Sequence, residues 1–175
     1  RTAGDAPAGR ITEGEVSQVG QSTIINFTSS DPFRRWENAS VIRGAANGTV
    51  SAIAYAPMGD ITADQFRALA TIQRHFKSDV RLSNRQNVVF RSLQPSQMRE
   101  LYDMLDEIGM ARPGAELARD VVACPGADTC NIAVTQSRGL AKAIGDKLEE
   151  EGLAEIGGVR INISGCTNSC GQHHA

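Results

Sequence analysis

The residues of this chain best suited to chemistry are its four cysteines, which fall into two close pairs. Cys124 and Cys130 form the first pair, Cys166 and Cys170 form the second, and the sequence holds four cysteines in all. Four thiolates are the set that binds an iron–sulfur cluster. Grouped cysteines also bind structural zinc, form disulfides or act as redox thiols, so the count alone leaves these chemistries open.

The surroundings of the two pairs favour one of these chemistries. The start of the chain lacks the apolar run of a secretory signal peptide, and grouped cysteines in a reducing compartment bind metals more often than they form bridges. The gap between Cys124 and Cys130 is slightly wide for a zinc ribbon. Gly126 lies in the first pair, and Gly165 and Gly171 flank the second. Because glycine lets backbone N–H groups approach a bulky inorganic core, an iron–sulfur cluster is the favoured interpretation.

Two longer motifs surround the cysteines, and three more stretches accompany them. The cysteine motifs are Ala-Cys-Pro-Gly-Ala-Asp-Thr-Cys over 123–130 and Ile-Asn-Ile-Ser-Gly-Cys-Thr-Asn-Ser-Cys-Gly-Gln-His-His over 161–174. The other stretches are Thr-Gln-Ser over 135–137, Pro-Met-Gly-Asp-Ile-Thr-Ala-Asp-Gln-Phe over 57–66 and Arg-Leu-Ser-Asn-Arg-Gln-Asn over 81–87. From about residue 33 to its end, the chain resembles the sirohaem-dependent nitrite and sulfite reductases. It differs at Thr167, where proline is common in that family.

The resemblance implies a set of cofactors and ligands. The four cysteines would hold a 4Fe–4S cluster, and Cys170 would also be the axial ligand of the sirohaem iron. Arg85, Gln86, Asn87 and Asn168 are candidates for contacts to the cofactor, because amide and guanidinium groups suit carboxylates. Arg85 is also a candidate for binding the substrate anion, although the resemblance places most anion-binding residues in a half that this chain does not include.

The implied reaction is the six-electron reduction of nitrite to ammonia or of sulfite to sulfide. The implied electron donor is ferredoxin or a nicotinamide-linked flavoprotein, and the sequence does not distinguish the two substrates. The alternatives are a zinc-binding structural module and a simple iron–sulfur electron carrier without haem. His173 and His174 either lie at the cofactor rim or are simply exposed.

The apolar pattern predicts an α+β fold with a ferredoxin-like half-domain (βαββα), followed by an α/β segment that carries the cysteine loops. The half-domain elements are a strand over 48–55, a helix over 62–76, strands over 79–83 and 87–92, and a helix from Pro95 to Gly109. Thr62 and Gln65 form a capping box at the start of the first helix, with Phe66, Leu69, Ile72 and Phe76 on its buried face. In the α/β segment, strands over 119–123 and 159–163 each lead into a cysteine loop, and a helix over 137–151 crosses between them.

The predicted domains are a linker or flexible lead-in over 1–20, the half-domain over 21–112 and a cluster and sirohaem domain over 113–175, incomplete at its C-terminus. The net charge of −2, from 18 basic and 20 acidic residues, gives no footprint for nucleic acid. No apolar run is long enough to span a membrane, so a cytoplasmic protein is expected. Because the chain begins with Arg1 and ends soon after Cys170, we expect a fragment that is inactive without the N-terminal half of the enzyme.

Overall fold

A four-stranded antiparallel sheet with three helices forms the first part of the molecule. The computed structural model describes residues 29–44 and 48–174, and the predicted linker over 1–20 lies outside these residues. The elements of this half-domain are α1 (Pro32–Ser40), β1 (Val41–Arg43), β2 (Val50–Ala54), α2 (Ala63–Phe76), β3 (Asp79–Leu82), β4 (Val88–Leu93) and α3 (Met98–Glu107). The strand order is β1-β2-β4-β3. The predicted half-domain is therefore present, and α1 and β1 add to it.

One face of this sheet carries the main core. Ala52 and Phe90 pair across β2 and β4 and are fully buried, and they pack with Trp36 of α1, Ile72 of α2 and Leu101 of α3. The opposite face carries Ile53 and a smaller cluster, described below. The alternation of a strand explains this division, because successive side chains point to opposite faces of a sheet.

Helix α2 begins as the sequence predicts. Thr62 accepts a hydrogen bond from the Gln65 amide at 3.2 Å, and the Gln65 side chain accepts one from the Thr62 amide at 3.0 Å, which confirms the capping box. The prediction that Phe66 is buried is wrong, since its side chain is 64% exposed. Gln65 takes the inner position instead and donates to the carbonyl oxygen of Ile108 at 2.9 Å.

The second segment, residues 113–174, contains β5 (Val122–Ala123), α4 (Ser137–Glu150) and β6 (Asn162–Ile163). The two strands are parallel, with Val122 opposite Asn162 and Ala123 opposite Ile163. Parallel strands need a crossover connection, and α4 lies in that connection. A small core of Val121, Ala123 and Ala141 lies between α4 and the strand pair.

The second segment packs against the free face of the half-domain sheet. Ile53 and Tyr55 form a buried cluster with Ala115, and the Tyr55 hydroxyl donates to the carbonyl oxygen of Arg119 at 3.3 Å. The two parts of the molecule are thus joined along the sheet.

Within 29–44 and 48–174, no helix combines the length and apolar character that a membrane span requires.

Candidate cofactor site

The cysteines lie in two loops that begin where β5 and β6 end. We define the first cysteine loop as residues 124–135 and the second as residues 164–172. Cys124 follows β5 directly, and its amide donates to the carbonyl oxygen of Ile163, the last residue of β6, at 3.2 Å. Because the strands are parallel, both loops leave the same edge of the pair.

The two loops are in direct contact at the sulfur of Cys124. The backbone N–H of Gly165 donates to Cys124 Sγ at 3.1 Å, and the hydroxyl of Ser137 lies 3.3 Å from the same sulfur. Gly165 is the residue before Cys166, so one cysteine of the first pair is hydrogen-bonded to the chain beside a cysteine of the second. This contact places Cys124 of the first pair beside the loop that carries the second pair.

Glycines allow this close approach. A Cβ atom on Gly165 would lie 3.0 Å from the Cα of Gly126 in the first loop, a contact so tight that the two backbones would have to move apart slightly. The carbonyl oxygen of Gly165 also accepts a hydrogen bond from the Val134 amide at 2.9 Å. The first cysteine loop therefore wraps around the backbone at Gly165.

The second cysteine loop folds back on the strand that it follows. The Gly171 amide donates to Ser164 Oγ at 2.9 Å, and a Cβ atom on Gly171 would overlap the carbonyl oxygen of Ile163. The side chain of Asn162 donates to the carbonyl oxygen of Gln172 at 2.8 Å. Gly171 is thus required by a close approach of backbone to backbone.

The four thiols are free, and their exposure increases along the chain. Cys124 is buried, Cys130 and Cys166 are half-buried, and Cys170 is exposed. Burial raises the pKa of the Cys124 thiol, but hydrogen bonds from Ser137 and from the amides of Gly165 and Gly126 outweigh it, so that the net pKa lies below that of an ordinary thiol. The thiolate, the form that binds metal, therefore forms more readily at Cys124 than at an ordinary cysteine.

These features fit a thiolate-bound cluster. Within the described part of the chain, no three Cys, His, Asp or Glu side chains form a group that could hold a metal ion. A 4Fe–4S cube binds one cysteine at each of its irons, and it therefore spaces its ligands more widely than a single tetrahedral ion does. Free thiols, a backbone donor on a ligand sulfur and glycines at the loop contact all suit such a cube.

Arg85 and Asn87, two predicted cofactor contacts, are buried between the half-domain and the second segment. The Arg85 guanidinium lies 3.1 Å from the Asp120 carboxylate and donates to the Asp120 carbonyl oxygen at 2.7 Å. Asn87 donates to the same carboxylate at 2.8 Å, and the Glu116 amide donates to it at 2.9 Å. We call Arg85, Asn87, Glu116 and Asp120 the inter-segment network. The network fixes the chain just before β5, and through it the position of β5 and the first cysteine loop.

Asp120 is the centre of the inter-segment network. Burial raises the pKa of its carboxyl above the ordinary value, against the opposing effects of the Glu116 amide, the Arg85 guanidinium and the Asn87 amide. The network opens on one side to a cavity of about 390 Å³ lined by Arg85, Glu116 and Arg160, together with Gly158 and Val159. Arg85 thus faces both a buried partner and this polar cavity.

The remaining predicted contacts lie closer to the cysteine loops. Gln86, held at a φ of 66°, donates to the carbonyl oxygen of Ala123, the residue before Cys124, at 3.0 Å. Its own side-chain oxygen is buried without a hydrogen-bond partner in the described part of the chain. Asn168 is exposed between Cys166 and Cys170. His173 and His174 are exposed, with ring centroids 3.8 Å apart.

Sequence reasoning did not single out Asp120 or Ser137 individually. Asp120 is a charged residue beside the apolar run that forms β5, and a buried charge of this kind indicates a partner. The role of Ser137 depends on where α4 begins relative to Cys124, which its position in the sequence does not reveal.

Comparison with known proteins bears directly on this geometry. Residues 44–108 match the family described as the nitrite/sulfite reductase ferredoxin-like half domain. Over 119 residues, or 67% of its length, the chain is 33% identical to a ferredoxin–nitrite reductase of Synechococcus elongatus. The chain belongs to the nitrite and sulfite reductase family.

Two further proteins that resemble the chain point to the same family. The chain is 31% identical over 108 residues, 59% of its length, to the NADPH sulfite reductase hemoprotein beta-component of Methylobacterium radiotolerans. The structure of Mycobacterium tuberculosis NirA matches 77% of the chain with a TM-score of 0.59 and 26% identity. The chain spans 23% of the nitrite reductase, 17% of the sulfite reductase component and 25% of NirA. It therefore corresponds to a quarter or less of these relatives.

Proposed function

We propose that this chain provides the cluster and sirohaem site of an enzyme that reduces nitrite to ammonia or sulfite to sulfide by six electrons. The observation that carries the proposal is the meeting of the two cysteine loops, in which the Gly165 amide lies 3.1 Å from Cys124 Sγ. Family membership supports it. In this proposal residues 21–112 are the half-domain and residues 113–175 are the cofactor domain.

The four cysteines would hold the 4Fe–4S cluster, and Cys170, the exposed one, would also ligate the sirohaem iron. When bound, these cofactors accept electrons and deliver them to the anion. The protein's part is to stabilise the Cys124 thiolate and to hold the cysteine loops in place. Gly165 does the first through its N–H group, and Gly171 does the second by allowing the second cysteine loop to fold back on β6.

The polar candidates divide by their surroundings. Asn168 is exposed between two ligands and Gln86 holds the strand end before Cys124, so we assign these two amides to contacts with the cofactor. Asn87 donates a hydrogen bond to Asp120. It would act by holding the inter-segment network together and would not contact the cofactor itself. Arg85 faces the polar cavity as well as Asp120, and it stays a candidate for a cofactor carboxylate or the substrate anion.

The proposal includes partners. The electron donor would be ferredoxin or a nicotinamide-linked flavoprotein, the donors that the names of the two relatives indicate. A related half, corresponding to sequence that the relatives have beyond the matched part, would supply further cations for the anion, and we expect no turnover from this chain alone. The proposal places the protein in the cytoplasm, a compartment in which thiols stay reduced and available to a cluster.

Cofactor analysis of the intact protein tests this proposal. We expect about five irons for every four labile sulfides, because the sirohaem carries an iron of its own, together with the visible absorption of sirohaem. Serine substitution at each of the four cysteines should abolish the cluster, whereas His75→Gln, an exposed change on α2, should leave it unchanged. Zinc without colour would contradict the proposal and support a structural module, and cluster absorption without sirohaem would support an electron carrier. Turnover with each anion then identifies the substrate.

A further inference from the structure

The hydroxyl of Ser137 lies against the sulfur and the backbone of Cys124. Ser137 is buried at the first position of α4, and its Oγ is 2.8 Å from the Cys124 carbonyl oxygen and 3.3 Å from Cys124 Sγ. A serine hydroxyl has one proton to donate. The carbonyl oxygen and the sulfur therefore compete for the same proton.

Ionisation of the sulfur changes this competition. A free thiol can donate its own proton, but a ligated thiolate can only accept hydrogen bonds, and bonds to a charged acceptor are the stronger ones. Ser137 also lies in the first turn of a 14-residue helix, where the aligned peptide dipoles favour negative charge. The sulfur of Cys124 would then accept a hydrogen bond from the Ser137 hydroxyl in addition to the one from the Gly165 amide.

We propose that Ser137 raises the reduction potential of the cluster by donating a hydrogen bond to the Cys124 sulfur. This inference rests on the proposed function, since it requires the cluster. Reduction places one electron from the donor protein on the cluster, breaks no bond and transfers no proton. The added negative charge is shared by the ligand sulfurs, so a donor to one of them stabilises the reduced form more than the oxidised form.

A purely structural role for the same hydroxyl has a different consequence. If Ser137 served only the carbonyl oxygen of Cys124, its loss would weaken the first cysteine loop and leave the potential as it was. The reduction potential therefore separates the two roles, whereas activity and stability alone do not.

A redox titration of the intact cofactor-loaded protein, followed by the electron paramagnetic resonance of the reduced cluster, provides the test. In Ser137→Ala we expect the ratio of reduced to oxidised cluster at a fixed potential to fall about tenfold, which is about 59 mV for a one-electron couple. Ser137→Thr, which keeps the hydroxyl, should restore most of the wild-type potential. Ser40→Ala is the matched control, because Ser40 is fully buried in the half-domain and its hydroxyl has no hydrogen-bond partner in the described part of the chain.

An unchanged potential in Ser137→Ala would overturn the inference while leaving the proposed function intact, because the cluster would still be present. Absence of any cluster in the wild-type protein would instead overturn the proposed function. If Ser137→Ala does not retain its cluster, a measurement on the wild-type protein takes its place. Brief transfer to D₂O should remove one proton coupling from the electron paramagnetic resonance spectrum of the reduced cluster, because a hydroxyl proton exchanges faster than the proton of a protected amide. A spectrum that keeps this coupling would overturn the inference.

Discussion

At the scale of single residues, the site depends on how closely two backbones approach each other. Gly165 and Gly171 lie where the cysteine loops touch each other and the strand end, and at both positions a Cβ atom would meet backbone or packed atoms. The donors that act on the Cys124 sulfur depend on this approach, because the Gly165 amide reaches the sulfur only with the loops in contact. Small changes of volume at these glycines should therefore have chemical effects.

Gly171→Ala is predicted to abolish cluster binding. Its added methyl group would overlap the carbonyl oxygen of Ile163, and the second cysteine loop, with Cys166 and Cys170, must move away from β6. Iron and labile sulfide in the purified intact protein should fall to background. Gly145→Ala is the matched control, because a Cβ atom there meets nothing within 4 Å and alanine suits a helix; equal cluster content in the two variants would refute the prediction.

At the scale of elements, the inter-segment network holds β5 against the half-domain. Arg85 comes from the turn between β3 and β4, whereas Asp120 comes from the chain just before β5. Both side chains are buried, and removing one partner of a buried ion pair leaves an uncompensated charge. The network therefore acts on the site by fixing the strand from which Cys124 emerges.

Asp120→Ala is predicted to lower the free energy of unfolding by about 3–5 kcal/mol, the cost of breaking a buried pair. The Arg85 guanidinium would remain buried without its carboxylate, and Asn87 would lose its acceptor. Urea denaturation of the intact protein measures the change. For comparison, Asp146→Ala removes the partner of Lys142 on the exposed face of α4 and should have little effect. A loss at Asp120 below about 1 kcal/mol, the usual value of a surface pair, would contradict the prediction.

The capping box gives a second prediction for an element. Thr62→Ala should destabilise the half-domain by about 1 kcal/mol, since the Gln65 amide loses its acceptor at the start of α2. Thermal unfolding is the measurement. Thr71→Ala, in the exposed interior of the same helix, is the control and should be neutral or slightly stabilising, because alanine is the better helix former. The opposite order of the two variants would show that the cap contributes nothing.

The sequence alone predicts those elements whose signals come from residues close together in the chain. The capping box at Thr62, the alternation in β2 and β4, and the strand–loop–helix–strand order around the cysteines all depend on residues near one another in the chain. Helix α1 and β1 were not predicted, although Asp31 caps α1 and a proline opens it; β1 is short and exists through its pairing with β2. Long-range contacts such as Arg85 with Asp120 leave no local pattern, and this is why the burial of Arg85 was not anticipated.

At the scale of the whole molecule, the two parts have unequal cores. The half-domain buries large side chains such as Trp36, Phe90 and Leu101, whereas the core of the second segment is built from Val121, Ala123 and Ala141. Apolar stabilisation follows the area removed from water, and alanine contributes little. We therefore expect the second segment to draw much of its stability from its contact with the half-domain and from the cofactors of the proposed function.

Removal of the cofactors from the intact protein should loosen the second segment selectively. Amides of β5, β6 and the two cysteine loops are expected to lose protection from hydrogen exchange, because a bound cluster stabilises the folded form to which it binds. Amides in β2 and β4 should keep their protection, since their core contains no part of the site. Hydrogen exchange followed by mass spectrometry, with and without cofactors, makes the comparison, and a uniform loss over both segments would contradict the expectation.

The parallel pairing of β5 with β6 also fixes an order of events during synthesis. β5 has no partner of its own in the second segment until β6 and the residues that follow it have left the ribosome, while β1 to β4 can already form their sheet. Cys124 and Cys130 are therefore translated well before the loop that completes their site. If the proposed function holds, iron and sulfide delivered to a nascent chain would meet half a site, so we expect maturation to follow the emergence of Cys170 and the docking of β6 on β5.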